Sequence, residues 1–143
     1  YMTKTIIIQA SDLKKALENL NITNLNSTIV SIDAEDYYPS IKFKLVEKPV
    51  HYFSQELLEE NKIKIDECLA MVKFGMGSTL LTFIDEFYEY DGDKKPEEKG
   101  LTIGGYESAW LADLVGACIL ANTQQHFKQM KYHGLYRDDG FAI

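Results

Sequence analysis

Two adjacent aspartates close the run Tyr136-Arg137-Asp138-Asp139, and apolar residues flank it as Gly134-Leu135-Tyr136 and Phe141-Ala142-Ile143. Apolar flanks around a short polar centre predict a β-hairpin with two carboxylates at its tip. Like charges side by side repel unless a cation stands between them, so the doublet has the chemistry of a hard-metal ligand pair. A second acidic segment lies far upstream, Ile32-Asp33-Ala34-Glu35-Asp36-Tyr37-Tyr38-Pro39-Ser40-Ile41, where a β-branched run ends on Asp33. If both acid-tipped strands pair in one antiparallel sheet, Asp33 stands beside Asp138 and Asp139. Three carboxylates can hold two Mg²⁺ ions about 3.5–4 Å apart, one activating an attacking oxygen and the other steadying the leaving one. Phosphoryl transfer suits such a site because its transition state is stabilised mainly by positioning and positive charge. The plain alternative is a solvated turn, for which Asp and Gly are ordinary residues.

Periodicity indicates the elements that must carry these acids. Thr3 to Gln9 reads as a strand, and Ser11 is expected to cap a helix reaching about Leu20, with Leu13, Ala16, Leu17 and Leu20 on one face. Asn21 to Asn26 reads as loop and Ser27 to Asp33 as the first acid-bearing strand. Pro39 suits the first turn of a helix that carries Ile41, Leu45 and Val46 inward. A short helix start is expected at Ser54. An amphipathic helix from Ile63 to about Phe74 follows, with Ile65, Leu69, Val72 and Met76 on its stripe and Gly75-Met76-Gly77-Ser78 breaking it. Thr79 to Ile84 and Glu86 to Tyr90 read as two short strands, and Asp91 to Gly100 as an exposed charged loop. The longest helix is expected from Tyr106 to about Met130, with Trp110, Leu111, Leu114, Val115, Cys118 and Ile119 spaced for burial. The class expected is α/β (α+β), an antiparallel sheet backed by helices.

The chain has 143 residues, enough for one domain with a real core, and its 45% hydrophobic and 26% charged content is ordinary for a soluble α/β protein. A net charge of −7 argues against a broad nucleic-acid-gripping surface. No apolar run reaches the roughly 20 residues needed to span a bilayer, so no membrane partner is expected. The residues before the first strand are not expected to form a signal peptide. Cys68 and Cys118 fall in apolar helical patterns, which predicts buried reduced thiols and an intracellular location, with nucleus and cytoplasm undecided. His51, His126 and His133 have no acid or Ser partner at a catalytic spacing. Tyr1-Met2 and the interrupted run Phe141-Ala142-Ile143 read as fragment boundaries.

Three segments together carry a family resemblance. The stretch Ile32 to Ile41 resembles motif A of reverse transcriptases, and Tyr136-Arg137-Asp138-Asp139 resembles their motif C, the Tyr-x-Asp-Asp box. Between them, Gly100-Leu101-Thr102-Ile103-Gly104-Gly105-Tyr106-Glu107-Ser108-Ala109-Trp110-Leu111-Ala112-Asp113 resembles motif B, with an ending similar to retroelement enzymes of the Penelope-like kind. The resemblance runs from about Ser27 to the C-terminus. It implies a polymerase palm, an RNA-directed DNA polymerase (reverse transcriptase, a nucleotidyltransferase) that adds dNTPs to a primer 3′ end on an RNA or DNA template with two Mg²⁺ ions, Mn²⁺ being a substitute. Asp33, Asp138 and Asp139 would be the catalytic metal ligands, and Ala34 would lend its backbone carbonyl to the metal. Tyr38 would be the gate beneath the sugar that excludes a 2′-hydroxyl. Gly104 and Gly105 would let the backbone approach nucleotide and template, and Ser108 would orient the following helix.

Arg137 departs from the family, which usually places a smaller apolar residue there near the primer end, and it stands where it could meet a phosphate. Ala109 stands where Pro is common. Residues 1–143 would then form a single partial reverse transcriptase domain, a palm with motifs A, B and C whose fingers and thumb lie outside it, and such a segment is expected to polymerise little alone. Two other expectations compete: a catalytically inactive retroelement-derived palm acting as an interaction or scaffold domain, and a family B DNA polymerase fragment. The latter also uses Tyr-Pro-Ser-Ile, but carries Asp-x-Asp where this chain has adjacent aspartates.

Overall fold

Strand formation around the acids is the simplest part of the architecture to derive, because each acid-bearing run has a partner of matching length. A computed structural model describes residues 7, 9–20, 27–54 and 64–143. These divide into two compact units, Tyr1–Glu35 with Gly116–Ile143, and Asp36–Val115. Helices mix with small antiparallel sheets, as the expected α/β (α+β) class requires.

In the first unit, helix α1 (Ala10–Glu18) precedes strand β1 (Val30–Asp33), and strands β4 (His133–Tyr136) and β5 (Asp139–Ala142) form a hairpin. The three strands make one antiparallel sheet in the order β1-β5-β4, so the strand latest in sequence is central. β1 begins at Val30 rather than Ser27 because its partner offers four residues, with Val30 opposite Ala142 and Asp33 opposite Asp139. Ile7 adds a backbone hydrogen bond to the carbonyl of Leu135 at 2.9 Å. The rest of the expected Thr3–Gln9 strand, apart from Gln9, lies outside the described residues, as does the Asn21–Asn26 loop. Ser11 does not cap α1. Gln9 is the N-cap, and Asp12 supplies the cap contact by accepting the Gln9 N–H at 3.0 Å.

The second unit holds α2 (Tyr37–Ser40), α3 (Phe43–Ser54), α4 (Ile65–Gly77), a two-stranded sheet of β2 (Leu80–Phe83) and β3 (Glu86–Glu89), and a 3₁₀ turn at Pro96–Glu98. The helix foreseen from Pro39 is two helices. Ile41 between them is extended, and Lys42 forms a β-bridge with Gly100. Ile41 and Val46 are fully buried as foreseen, while Leu45 faces out at 36% exposure. They share a core with Met76, Leu101, Leu111, Ala112 and Val115. Met76 is drawn into that core, so α4 continues past Phe74 through Gly75 and ends at Gly77 with Ser78 as its C-cap, within the foreseen Gly75–Ser78 break. The short helix start foreseen at Ser54 is instead the end of α3, and residues 55–63 lie outside the described residues.

Helix α5 (Ser108–Thr123) crosses from one unit into the other along the sequence and gives way to a 3₁₀ turn at Gln124–Phe127, short of the foreseen Met130. Its buried stripe is narrower than expected. Leu111, Ala112, Val115 and Ala117 are buried, but Trp110 is 75% and Ile119 46% exposed. The expected buried thiols are not buried either: Cys68 is exposed and Cys118 half-buried, and both are free. Among the described residues no helix is long and apolar enough to cross a membrane.

The β2–β3 turn carries a local cost. Both central residues, Ile84 and Asp85, take positive φ (48° and 61°), the pattern of a type I′ hairpin that favours Asn-Gly. A β-branched side chain in that conformation costs about 1–2 kcal/mol. Ile84→Asn is therefore expected to stabilise the second unit by about 1 kcal/mol in chemical denaturation, and a stability loss instead would show that the Ile84 side chain makes a compensating contact.

Candidate functional site

Antiparallel pairing places the predicted acids together. β5 lies between β1 and β4, and the register sets Asp33 directly across from Asp139. The ladder extends one residue further, since the Ala34 N–H donates to the carbonyl of Asp138 at 3.0 Å. Antiparallel pairs alternate between hydrogen-bonded and narrow, so the Ala34–Asp138 bond makes Asp33–Asp139 a narrow pair, with Cβ atoms about 4.5 Å apart on one face. Arg137 and Asp138 form the two-residue hairpin loop. Arg137 adopts a φ of 53°, and its guanidinium lies over the Tyr136 ring, 5.5 Å from the centroid. That cation–π contact favours the Arg side chain at a backbone position usually left to Gly or Asn.

The chemistry of this edge fits a hard divalent cation. Its donors are carboxylate oxygens, which suit Mg²⁺, and the backbone groups of Ala34 and Asp138 fix where they start. Among the described residues, neither an ion pair nor a side-chain hydrogen bond engages the carboxylates of Asp33, Asp138 or Asp139. Also among the described residues, no three His, Cys, Asp or Glu side chains converge closely enough to hold a metal ion. The backbone register thus sets Asp33 opposite Asp139, while Asp138 lies in the hairpin loop beside them. Asp33 and Asp139 face each other as like charges, an arrangement that costs about 0.2–1 kcal/mol in a sheet. Asp139→Asn is expected to raise Tm by about 1–4 °C in a chelating buffer, and, for a metal edge, to show a smaller Mg²⁺- or Mn²⁺-induced Tm shift than wild type. Equal metal-induced shifts in wild type, Asp33→Ala and Asp139→Asn would exclude a shared site.

The other predicted residues, Tyr38, Gly104, Gly105 and Ser108, belong to the second unit, where Gly105 meets Ser108 and Tyr38 is tied to Leu101. The Leu101 N–H donates to the carbonyl of Tyr38 at 3.1 Å, linking the end of the Ile32–Ile41 stretch to the start of the Gly100–Asp113 stretch. Gly100 makes this possible: any side chain there would run into the backbone of Pro39. Tyr37 packs edge-on against Tyr38, with ring centroids 6.0 Å apart, and donates its hydroxyl to the carbonyl of Ala112 at 2.8 Å. Gly104 has a φ of 90°, a conformation few other residues tolerate, beside open space. Gly105 and buried Ser108 are in contact, and Ser108 donates its N–H to the Gly105 carbonyl at 3.2 Å.

Lys99 was not anticipated. Its position in a charged loop predicts solvation, yet its side chain is 1% exposed. Its ammonium donates to the carbonyl of Gly77 at the end of α4 (2.9 Å) and to Glu89 on β3 (2.5 Å). Pro96 packs on Gly77 and Lys73 pairs with Glu97 at 3.7 Å, fastening the same loop to α4. The one signal in the sequence is position: Lys99 immediately precedes Gly100-Leu101, whose backbone is engaged with Pro39 and Tyr38. No family model, curated protein or solved structure matches this chain.

Proposed function

We propose that this chain is the palm segment of a retroelement-type RNA-directed DNA polymerase, joining dNTPs to a primer 3′ end by two-metal nucleotidyl transfer. The observation that carries the reading is the β1–β5 register, which sets Asp33 across from Asp139 and joins Ala34 to Asp138 by a backbone hydrogen bond. Adjacent aspartates at a hairpin tip, reached by a third from a neighbouring strand, are what a palm requires. Bound Mg²⁺ would supply the positive charge that favours attack by the 3′ oxygen and departure of pyrophosphate.

Asp33, Asp138 and Asp139 would hold the ions, with the Ala34 carbonyl as a further oxygen donor. Tyr38, held through its own carbonyl and by the ring of Tyr37, would form the sugar gate. The Gly104-Gly105 turn would let nucleotide and template approach the backbone, and Ser108 would set the helix that follows. Arg137, at the hairpin tip, would meet a primer phosphate. RNA or DNA template with primer and dNTPs are the partners this reading needs.

The test is extension of a labelled DNA primer on RNA and DNA templates with Mg²⁺ or Mn²⁺ by a longer form in which fingers and thumb flank this segment, since the segment alone is expected to polymerise little. Incorporation that requires the metal, prefers dNTPs over rNTPs and loses that preference in Tyr38→Ala supports the proposal. Absence of incorporation together with metal binding that ignores Asp33 would leave the inactive interaction-domain reading, which the exposed apolar surface of the second unit favours.

A further inference from the structure

The β2–β3 hairpin is unusual in what it leaves uncovered. Leu80, Leu81, Phe83, Ile84, Phe87 and Tyr88 are between 45% and 77% exposed, and the register places them on both faces of the ribbon. The sheet has two strands, so among the described residues the outer edge of β2 presents unpaired N–H and C=O groups. Proteins usually blunt such an edge with a charge, a Pro or a bulge. From Thr79 to Ile84 there is none of these, only Thr-Leu-Leu-Thr-Phe-Ile.

Charge indicates what the edge accepts. Residues 36–115 contain 16 Asp and Glu against 9 Lys, so the net −7 lies entirely in this unit, while the remainder contains six of each sign. The hairpin concentrates that excess. Asp85, Glu86, Glu89, Asp91 and Asp93 follow β2 with no basic residue before Lys94; Lys99 balances Glu89 and Lys94 pairs with Asp91 at 2.9 Å, and Asp85, Glu86 and Asp93 are left to select the charge. A second copy of the chain would bring the same negative charge to the edge, and a nucleic acid would bring phosphates. Both are repelled.

We infer that β2 is a docking edge for an extended, basic segment of a partner protein, which adds as a third strand with apolar residues alternating with Lys or Arg. Main-chain hydrogen bonds to β2 supply affinity, Leu81, Phe83 and Tyr88 on one face and Leu80 and Phe87 on the other contact the apolar side chains, and the acids select the charge. This inference does not depend on the polymerase reading.

The test is fluorescence anisotropy of the whole chain with a labelled peptide alternating Val and Lys. Its controls are a scrambled peptide of the same composition, a Val/Glu alternation and a single-stranded oligonucleotide. Saturable, salt-sensitive binding is expected, at least about tenfold tighter than any control and weakened at least about tenfold by Leu81→Lys and by Phe83→Lys. Amide exchange of wild type should show new protection of β2 on binding, a readout that does not depend on the variants folding. Several results would overturn the inference: no binding of the alternating peptide, equal binding of the scrambled one, protection confined elsewhere, tighter binding of the oligonucleotide, or self-association through β2 that Phe83→Lys abolishes.

Discussion

Asp138→Asn, in a longer form in which fingers and thumb flank this segment, is expected to incorporate nucleotides at least about 10³-fold more slowly than wild type, a loss of about 4 kcal/mol of transition-state stabilisation. The substitution keeps the size and shape of the side chain. The backbone bond from Ala34 ends on the Asp138 carbonyl, so the hairpin tip should remain in place. What is lost is a negative charge where two cations would be held. Asp33→Asn should cost as much, since Asp33 is the only acid that β1 brings to the site. Asp36→Asn is the matched control. Asp36 lies just beyond the same strand with a φ of 50°, a conformation that Asn tolerates well, and its loss should leave the rate within about twofold. Single-turnover incorporation with Mg²⁺ distinguishes these outcomes. An Asp138→Asn rate within about tenfold of wild type would refute the assignment of Asp138 as a metal ligand.

The Lys99–Glu89 pair leads to an asymmetric result. Glu89→Gln is expected to destabilise the second unit by about 3–5 kcal/mol, because the buried ammonium keeps neutral oxygen acceptors but loses the negative charge that balances it. Lys99→Met should cost less, about 1–3 kcal/mol. It removes the buried charge, fills a similar volume and leaves Glu89, whose side chain is 52% exposed, to water, while the Gly77 carbonyl loses its donor. The double variant should resemble Lys99→Met, since the penalty in Glu89→Gln exists only while the lysine is charged. Denaturant melts of the three proteins decide this. Equal losses for the two single variants would mean that Lys99 is hydrated rather than buried.

Much of the acid edge was legible from the residues. A β-branched, mostly apolar run ending on Asp33, and a short polar centre between Tyr136 and Asp139, were enough to propose the strands and their pairing, and the register agrees. The two-strand assignment from Thr79 to Tyr90 also matches. Helix limits were harder. The Gly75–Ser78 stretch does end α4, but only after Gly77, because burial of Met76 outweighs the roughly 1 kcal/mol that Gly75 costs within the helix. Trp110 fits a helical stripe by spacing, yet Ala112 and Val115 occupy the core beside Leu111 and leave the indole outside. Lys99 was invisible for a simpler reason. A charged residue is buried only when tertiary partners receive it, and neither the Gly77 carbonyl nor Glu89 is near it in sequence.

The central place of β5 bears on the order of events in folding. Among the described residues β1 pairs with no strand except β5, so Asp33 has no ladder until the sequence around Asp139 has been made. Bringing ends about 100 residues apart together costs roughly 4 kcal/mol in loop-closure entropy. The intervening Asp36–Val115 unit, with its own core, can fold first and shorten that gap. The acid edge would then be the last part to form, and it would report, as no local helix can, that the whole chain has folded.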